Sequence, residues 1–86
     1  MEEFELVFPC EYAIKVIGLD EDDFEQFVRT VIIQHIPDLL SESFSTRYSA
    51  RNNYLSVSVS FFAESREQLD SLYRMLGADS RVKVIL

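Results

Sequence analysis

The sequence predicts an α+β fold in which a four-stranded antiparallel sheet carries two helices on one face. The chain has 86 residues, of which 48% are apolar and only two are glycine, a composition typical of one small globular domain. Residues 43–51 and the stretch within 52–65 alternate along the chain with the period of a strand, residues 12–18 and 81–86 also read as strands, and two segments place apolar residues at helical spacing. These segments follow one another as strand, helix, strand, strand, helix, strand.

Residues 1–10 are expected to form an N-terminal leader that docks on a single domain spanning residues 11–86. Pro9 interrupts regular structure near this boundary, because its ring fixes the backbone and removes an N–H donor. The apolar side chains that we expect to pin the leader to the domain are Phe4, Leu6, Val7 and Phe8.

The first strand is predicted at residues 12–18, and Gly18 is expected to end it. Successive side chains of a strand point to opposite faces. One face therefore carries Tyr12, Ile14 and Val16, and the other carries Ala13, Lys15 and Ile17.

The first helix is predicted at residues 21–36. Asp20 is its expected N-cap, and the acidic residues that follow match the positive end of the helix dipole. Pro37 ends the helix, because the residue before a proline is pushed out of the α region. Its apolar stripe consists of Phe24, Phe27, Val28, Val31 and Ile32.

The second strand is predicted at residues 43–51 and the third within residues 52–65, with a tight turn at Asn52 and Asn53 between them. The third strand alternates almost strictly, with Leu55, Val57, Val59 and Phe61 on one face and Ser56, Ser58 and Ser60 on the other. The apolar face needs a core, and the serine face raises the question of what it contacts.

The second helix begins at Ser65, which forms an expected capping box with Gln68, and Gly77 is its expected C-terminal cap. Its apolar stripe consists of Leu69, Leu72, Tyr73 and Leu76. The last strand is predicted at residues 81–86, with Val82, Val84 and Leu86 facing the core and Lys83 and Ile85 facing outward.

Right-handed crossovers arrange this βαββαβ order as a ferredoxin-like fold, with both helices on one face of the sheet. The other face is then open, and its side chains are the candidate surface for binding a partner. We expect this surface to contain Lys15, Ile17, Arg47, Ser56, Ser58, Ser60, Lys83 and Ile85.

The charge distribution argues against nucleic acid and anionic membranes as partners. The net charge is −7, and it is uneven: residues 1–42 carry two basic against eleven acidic residues, and residues 43–86 carry six against four. The acidic start of the chain is unlike a signal peptide, and a single cysteine, Cys10, allows no intrachain disulfide. We therefore expect a cytoplasmic protein.

Enzymatic chemistry is not indicated by the residues available. With one His and one Cys, a zinc site would have to be built mostly from carboxylates, which we do not expect, and Cys10 with His35 has no visible third group to orient a nucleophile. The acidic run from Asp20 fails the EF-hand pattern, because its fifth and sixth positions are Phe24 and Glu25. Two glycines cannot make a phosphate-binding loop. We expect no catalytic residue, metal or cofactor.

Two stretches, FPCEYAIKVIG and NYLSVSVSFFAESREQLDSLYRMLGADSRVKVIL, resemble the YbeD-like family of small bacterial proteins over about residues 8–86. The middle of the chain, residues 19–50, matches the family less well. The resemblance implies a ferredoxin-like fold similar to small regulatory domains that bind amino acids, and it brings no catalytic residues. The matching positions are Phe8, Pro9, Tyr12, Lys15, Gly18, Asn53, Tyr54, Ser56, Val57, Gln68, Leu72 and Tyr73.

Two functions remain open at this point. The first is a non-catalytic regulatory or adaptor domain that binds a protein partner through the open sheet face or an edge strand. The second is an amino-acid sensor that acts as a homodimer, in which Gly18 lets the ligand approach the first loop.

Overall fold

The computed structural model describes residues 6–49 and 53–86 of the protein. Its elements follow the predicted βαββαβ order, with one short 3₁₀ turn at Ser41–Ser43 added before the second strand. The strands and helices are β1 (Cys10–Leu19), α1 (Phe24–His35), β2 (Ser45–Tyr48), β3 (Tyr54–Ala63), α2 (Arg66–Gly77) and β4 (Val82–Ile85).

The four strands form one antiparallel sheet in the order β2-β3-β1-β4. The long strands β1 and β3 lie in the centre and pair along their whole length, from Cys10 with Ala63 to Leu19 with Tyr54. The edge strands β2 and β4 have four residues each. The predicted ferredoxin-like fold is thereby confirmed.

The core lies between the sheet and the two helices, as the alternation of apolar residues predicts. The apolar residues of β3 from Leu55 to Phe61 are all buried, and so are those of α1 that face the sheet. No polar side chain in residues 6–49 or 53–86 is buried. The buried hydrophobic residues are Ile14, Val16, Phe24, Val28, Val31, Ile32, Ile36, Phe44, Leu55, Val57, Val59, Phe61, Ala63, Leu69, Leu72 and Leu76.

Helix α1 begins at Phe24, so the expected start at residue 21 and the expected cap at Asp20 are wrong. The chain first makes a turn, in which Phe24 N–H donates to the carbonyl of Glu21 at 3.1 Å and Asp22 has a φ of 54°. Aspartate tolerates this left-handed conformation better than most residues. The N-cap is Asp23, whose side chain makes no capping hydrogen bond.

Strand β2 is shorter than the predicted 43–51, because the first of those residues belongs to the 3₁₀ turn. Beyond the strand, Ser49 N–H still donates to the carbonyl of Tyr54 at 2.9 Å and holds the two strands together. The predicted turn at Asn52 and Asn53 lies partly outside the described residues.

Helix α2 is capped as predicted at its start but not at its end. Gln68 N–H donates to Ser65 Oγ at 3.1 Å, which is one half of a capping box. The Gln68 side chain instead accepts from Glu64 N–H at 2.8 Å and donates to the carbonyl of His35 at 3.0 Å, so it joins the end of α1 to the start of α2. Gly77 is not a left-handed cap: it is the last helical residue, and Ala78 follows as the C-cap.

Strand β4 faces the opposite way to the prediction along its second half. The register with β1 is irregular between Ile17 and Gly18, because Val84 pairs with the former and Val82 with the latter. Lys83 is therefore an extra residue in β4, and it reverses which side chains of the strand face the core. Ile85 therefore packs against the core, whereas Val84 and Leu86 are exposed.

Among the described residues before β1, which are 6–9, Phe8 is the side chain that packs against the core. Leu6 and Val7 are exposed, so the expected anchoring by these two is wrong. Phe4 lies outside the described residues, and the division into a leader and a domain stays a prediction. Neither helix in the described part of the chain is long and apolar enough to cross a membrane.

Candidate open-face binding site

The face of the sheet opposite the helices, here called the open sheet face, brings the predicted partner-binding residues of three strands together. The serines of β3 lie in its middle, with β2 on one side and β1 on the other. The cross-strand rows are Ser45–Ser58–Lys15, Arg47–Ser56–Ile17 and Ser60–Ala13. Because directly opposite residues in a sheet lie about 5 Å apart, neighbouring side chains in these rows can contact one ligand surface.

Two basic residues of the open sheet face are not neutralised by neighbours. Lys15 and Arg47 are both exposed, and neither forms an ion pair with any residue in 6–49 or 53–86. Arg29 and Arg81, by contrast, are both paired with carboxylates. The charges of Lys15 and Arg47 are therefore available to a binding partner.

The contribution of β4 to this face differs from the prediction. Ile85 is on the helix side, so its expected role on the binding surface is wrong, and Val84 and Leu86 take its place with 43% and 65% exposure. Leu86 sits opposite Lys15, since each backbone N–H donates to the other's carbonyl, at 2.8 and 3.1 Å. Lys83 is exposed at the irregularity, between the paired residues of β4.

Exposed aromatic side chains lie at the two ends of the serine row. Tyr54 and Phe62 alternate in phase with Ser56, Ser58 and Ser60, and their exposures are 38% and 59%. Beside the row is a shallow hollow of about 770 Å³, lined by Ala13, Lys15, Ser45, Ser58, Ser60 and Leu86 among others. The surface therefore combines small, basic and apolar side chains.

Gly18, the residue of the alternative ligand loop, is buried against the protein's own atoms. A Cβ built on it would lie 2.5 Å from the carbonyl oxygen of Arg81 and even nearer to the ring of Phe24. Such approaches are too close for any larger residue, so packing alone accounts for a glycine here.

Arg81 holds the acidic turn before α1 in place. Its guanidinium donates to both carboxylate oxygens of Asp79, at 2.9 and 2.8 Å, and to Asp23 Oδ1 at 3.1 Å. It also lies 5.4 Å from the ring centres of Phe24 and Phe27. The hydrogen bond from Arg81 lowers the pKa of Asp79 below its ordinary value. Part of the acidic charge at this end of the protein thus has a structural role.

Glu25 connects α1 to the edge strand β2. It accepts hydrogen bonds from Thr46 Oγ1 at 2.9 Å, Tyr48 OH at 3.0 Å and Arg29 Nε at 3.1 Å. The hydrogen bond from Thr46 is the main cause that lowers the pKa of Glu25 below its ordinary value. These contacts fix the edge of the sheet that carries Arg47.

The surroundings of His35 and Cys10, the two residues considered for a nucleophile pair, do not indicate catalysis. His35 Nδ1–H donates to the carbonyl of Val31 at 2.9 Å, and His35 Nε2 lies 3.1 Å from Ser71 Oγ, so the ring bridges the two helices. Cys10 is a partly exposed free thiol at the start of β1. Within the described ranges, no group of three His, Cys, Asp or Glu residues could hold a metal ion.

Sequence comparison identifies relatives along almost the whole chain. A UPF0250 protein of Neisseria meningitidis is 39% identical over 79 residues, which cover 92% of this chain and 87% of the relative. Among solved structures, the fold is similar to the ACT domain from GTP pyrophosphokinase of Chlorobium tepidum, with a TM-score of 0.62, 15% identity and coverage of 90% and 95% of the two chains.

Protein HP0495 from Helicobacter pylori is a second similar structure, with a TM-score of 0.65, 13% identity and coverage of 99% and 89%. These structural likenesses show the fold, which is ACT-like. The model of a family described as a protein of unknown function (DUF493) matches residues 3–86. The resemblance to YbeD-like proteins is thereby confirmed, and the chain belongs to the DUF493 family of small bacterial proteins.

Proposed function

We propose that the chain is a non-catalytic regulatory or adaptor domain that binds a protein partner through the open sheet face. The observation that carries the proposal is the exposure of Lys15 and Arg47 without ion-pair partners in the described residues, on either side of small serines. Small residues let another surface approach closely, and unpaired cations offer charge-assisted hydrogen bonds. The exposed Val84 and Leu86 add apolar area at the β4 side.

Reversing the two charges tests this proposal. The double variant Lys15→Glu with Arg47→Glu should keep nearly the parent melting temperature, because exposed charges contribute little to folding. It should lose the main partner that the parent protein captures, and higher salt should weaken that capture for the parent.

The matched control is Arg66→Glu with Arg74→Glu. Both arginines are exposed on α2, and neither is ion-paired with a described residue, so the control changes the net charge equally on the opposite side of the protein. It should capture the partner as the parent does. If the open-face variant also captures the partner normally, the open sheet face is not the docking surface, and the edge strands β2 and β4 become the candidates.

A plain solvated face is the simplest competing explanation, because antiparallel sheets commonly expose one face to water. Under that explanation, neither double variant would change any interaction. The capture experiment therefore separates a docking surface from a solvated face in one comparison.

The amino-acid sensor remains the second candidate, since the fold is similar to an ACT domain. The buried position of Gly18 gives this candidate no open space at the first loop of the single chain, so a ligand would need a homodimer to complete its site. Melting with a panel of amino acids tests it: a ligand at 100 times its Kd stabilises the folded state by about 2.7 kcal/mol. An unchanged melting temperature across the panel would exclude this candidate.

A further inference from the structure

The open sheet face has the opposite charge to the chain as a whole. The net charge of the protein is −7. The open sheet face, however, carries Lys15 on the central strand β1 and Arg47 on the edge strand β2, and the acidic Glu11 lies at one end of β1, opposite Phe62. We propose that the partner of this face is an acidic protein segment that places one carboxylate on Lys15 and another on Arg47. This inference rests on the proposed function and names the chemistry of its partner.

The spacing of the two cations sets the spacing of the carboxylates. Strand β3 separates Lys15 from Arg47, and the two lie in adjacent cross-strand rows. Two strand spacings sideways and two residues lengthwise put their Cα atoms about 12 Å apart. An extended segment bridges that distance with carboxylates about three or four residues apart. A helical segment bridges it with carboxylates about seven or eight residues apart.

The side chains between the cations fit a segment that crosses the strands. Ser56 and Ser58 lie between Arg47 and Lys15, one in each row. Their hydroxyl groups can donate to backbone carbonyls or to the carboxylates, and their small size leaves room for a close approach. The middle of the segment therefore needs small or polar residues that can pack on serine.

An apolar residue is expected on the Lys15 end of the segment. Leu86 is directly opposite Lys15 on the β4 side and 65% exposed, and Val84 is its exposed neighbour on the same face. An apolar contact there would bury apolar surface that is exposed to water in the folded chain. The partner segment is thus acidic and also carries an apolar side chain beyond its first carboxylate.

Other anionic or identical partners fit this face less well. Nucleic acid would meet the field of a chain with net charge −7 and would find serines where stacking aromatics are needed. The exposed aromatics Tyr54 and Phe62 stand at opposite ends of β3. A second copy docked face to face would bring four cations together against two Glu11 carboxylates. An acidic segment meets the same net field, but it carries far less negative charge than a nucleic acid, needs no stacking aromatics and neutralises Lys15 and Arg47 directly.

Site-specific photo-crosslinking tests the inference. A photoreactive amino acid replaces Ser58 in the full chain, the protein is irradiated in a bacterial lysate, and the cross-linked peptides are identified by mass spectrometry. We expect peptides with two Asp or Glu residues at one of the two spacings above. The control places the same group at Thr30, an exposed position on α1. Neutral or basic peptides, nucleic acid or a second copy of this chain at position 58 would overturn the inference.

A charge swap completes the test with a synthetic peptide that copies the cross-linked segment. The peptide should bind the parent and bind the variant Lys15→Glu with Arg47→Glu at least about tenfold more weakly. A peptide with both carboxylates replaced by lysine should recover binding to that variant, and Arg66→Glu with Arg74→Glu should bind as the parent does.

The outcomes separate the inference from the proposed function. If a protein partner cross-links at position 58 through a segment without paired acidic residues, the open sheet face is still a docking surface, but the inference of an acidic partner is overturned. The absence of any cross-link at position 58 overturns both.

Discussion

The ring of Phe24 occupies the space that a side chain on Gly18 would need. The carbonyl oxygen of Arg81 closes the same space from the other side, 2.5 Å from the position of such a Cβ. The start of α1 and the connection before β4 therefore both pack directly on the backbone of β1. This contact explains the glycine without any ligand.

Replacing Gly18 with alanine is expected to destabilise the protein by about 2 to 3 kcal/mol, because a backbone carbonyl and a buried ring cannot both move away cheaply. Urea unfolding measures the loss. The variant Phe24→Leu in the same chain should recover part of it, so that the two changes together are less harmful than their sum. Additive effects would show that the ring does not restrict this position.

Replacing Gly77 with alanine is expected to stabilise the protein by about 0.5 to 1 kcal/mol. Gly77 is helical with no positive φ, and a Cβ built there meets no atom within 4 Å. Alanine lowers the entropy of the unfolded chain and is the better helix former. A lower melting temperature for Gly77→Ala would instead indicate the left-handed cap that the sequence suggested.

The reversed register of β4 is tested by comparing Ile85→Ala with Val84→Ala. Ile85 packs against the core, so its replacement should lower the free energy of unfolding by about 1 to 2 kcal/mol. Replacing the exposed Val84 should lower it by less than about 0.5 kcal/mol. Thermal unfolding of the two variants gives the comparison. Equal losses of stability in the two variants, or a larger loss in Val84→Ala, would contradict the irregularity between β1 and β4.

The hydrogen bonds to Glu25 predict a loss of stability in acid. The pKa of Glu25 is lowered in the folded state from an ordinary value of 4.5, mainly by the hydrogen bond from Thr46. The unfolded chain therefore takes up a proton before the folded one does. The stability that this carboxylate contributes is complete above its unfolded pKa and is lost as the pH falls through the folded pKa.

Chemical unfolding of the parent and of Glu25→Gln, measured from pH 7 downward, checks this prediction. The stability of the parent should fall more steeply below about pH 4.5 than that of the variant, since glutamine has no proton to take up. Curves that stay parallel through the acidic range would show that the folded state does not favour the charged carboxylate.

The sequence predicted the core and the order of the elements because those depend on alternation and helical spacing, which a chain displays directly. Val57 and Ser58 show this most simply: the first is completely buried and the second lies on the open sheet face, as their positions in β3 require. The same alternation placed Lys15 and Arg47 correctly.

The errors arose where one residue changes the geometry without changing the pattern. An extra residue in β4 moved Ile85 from the open face to the core, and nothing in RVKVIL distinguishes a regular strand from an irregular one. The left-handed Asp22 delayed the start of α1 in the same manner, because a run of acidic residues is equally compatible with a turn and with a helix start. The exposed position of Leu86 beside Lys15 could not be predicted before that register was known.

The pairing of β1 with β3 also constrains when the protein can fold during its synthesis. All of α1 and β2 lies between these strands in the sequence, yet Cys10 at the start of β1 pairs with Ala63 at the end of β3. The central ladder therefore closes a long loop, and closing such loops is slow compared with forming local helices. A growing chain on the ribosome cannot complete the middle of its sheet until Ala63 has emerged, so the backbone of β1 must remain without its main hydrogen-bonding partner for most of translation.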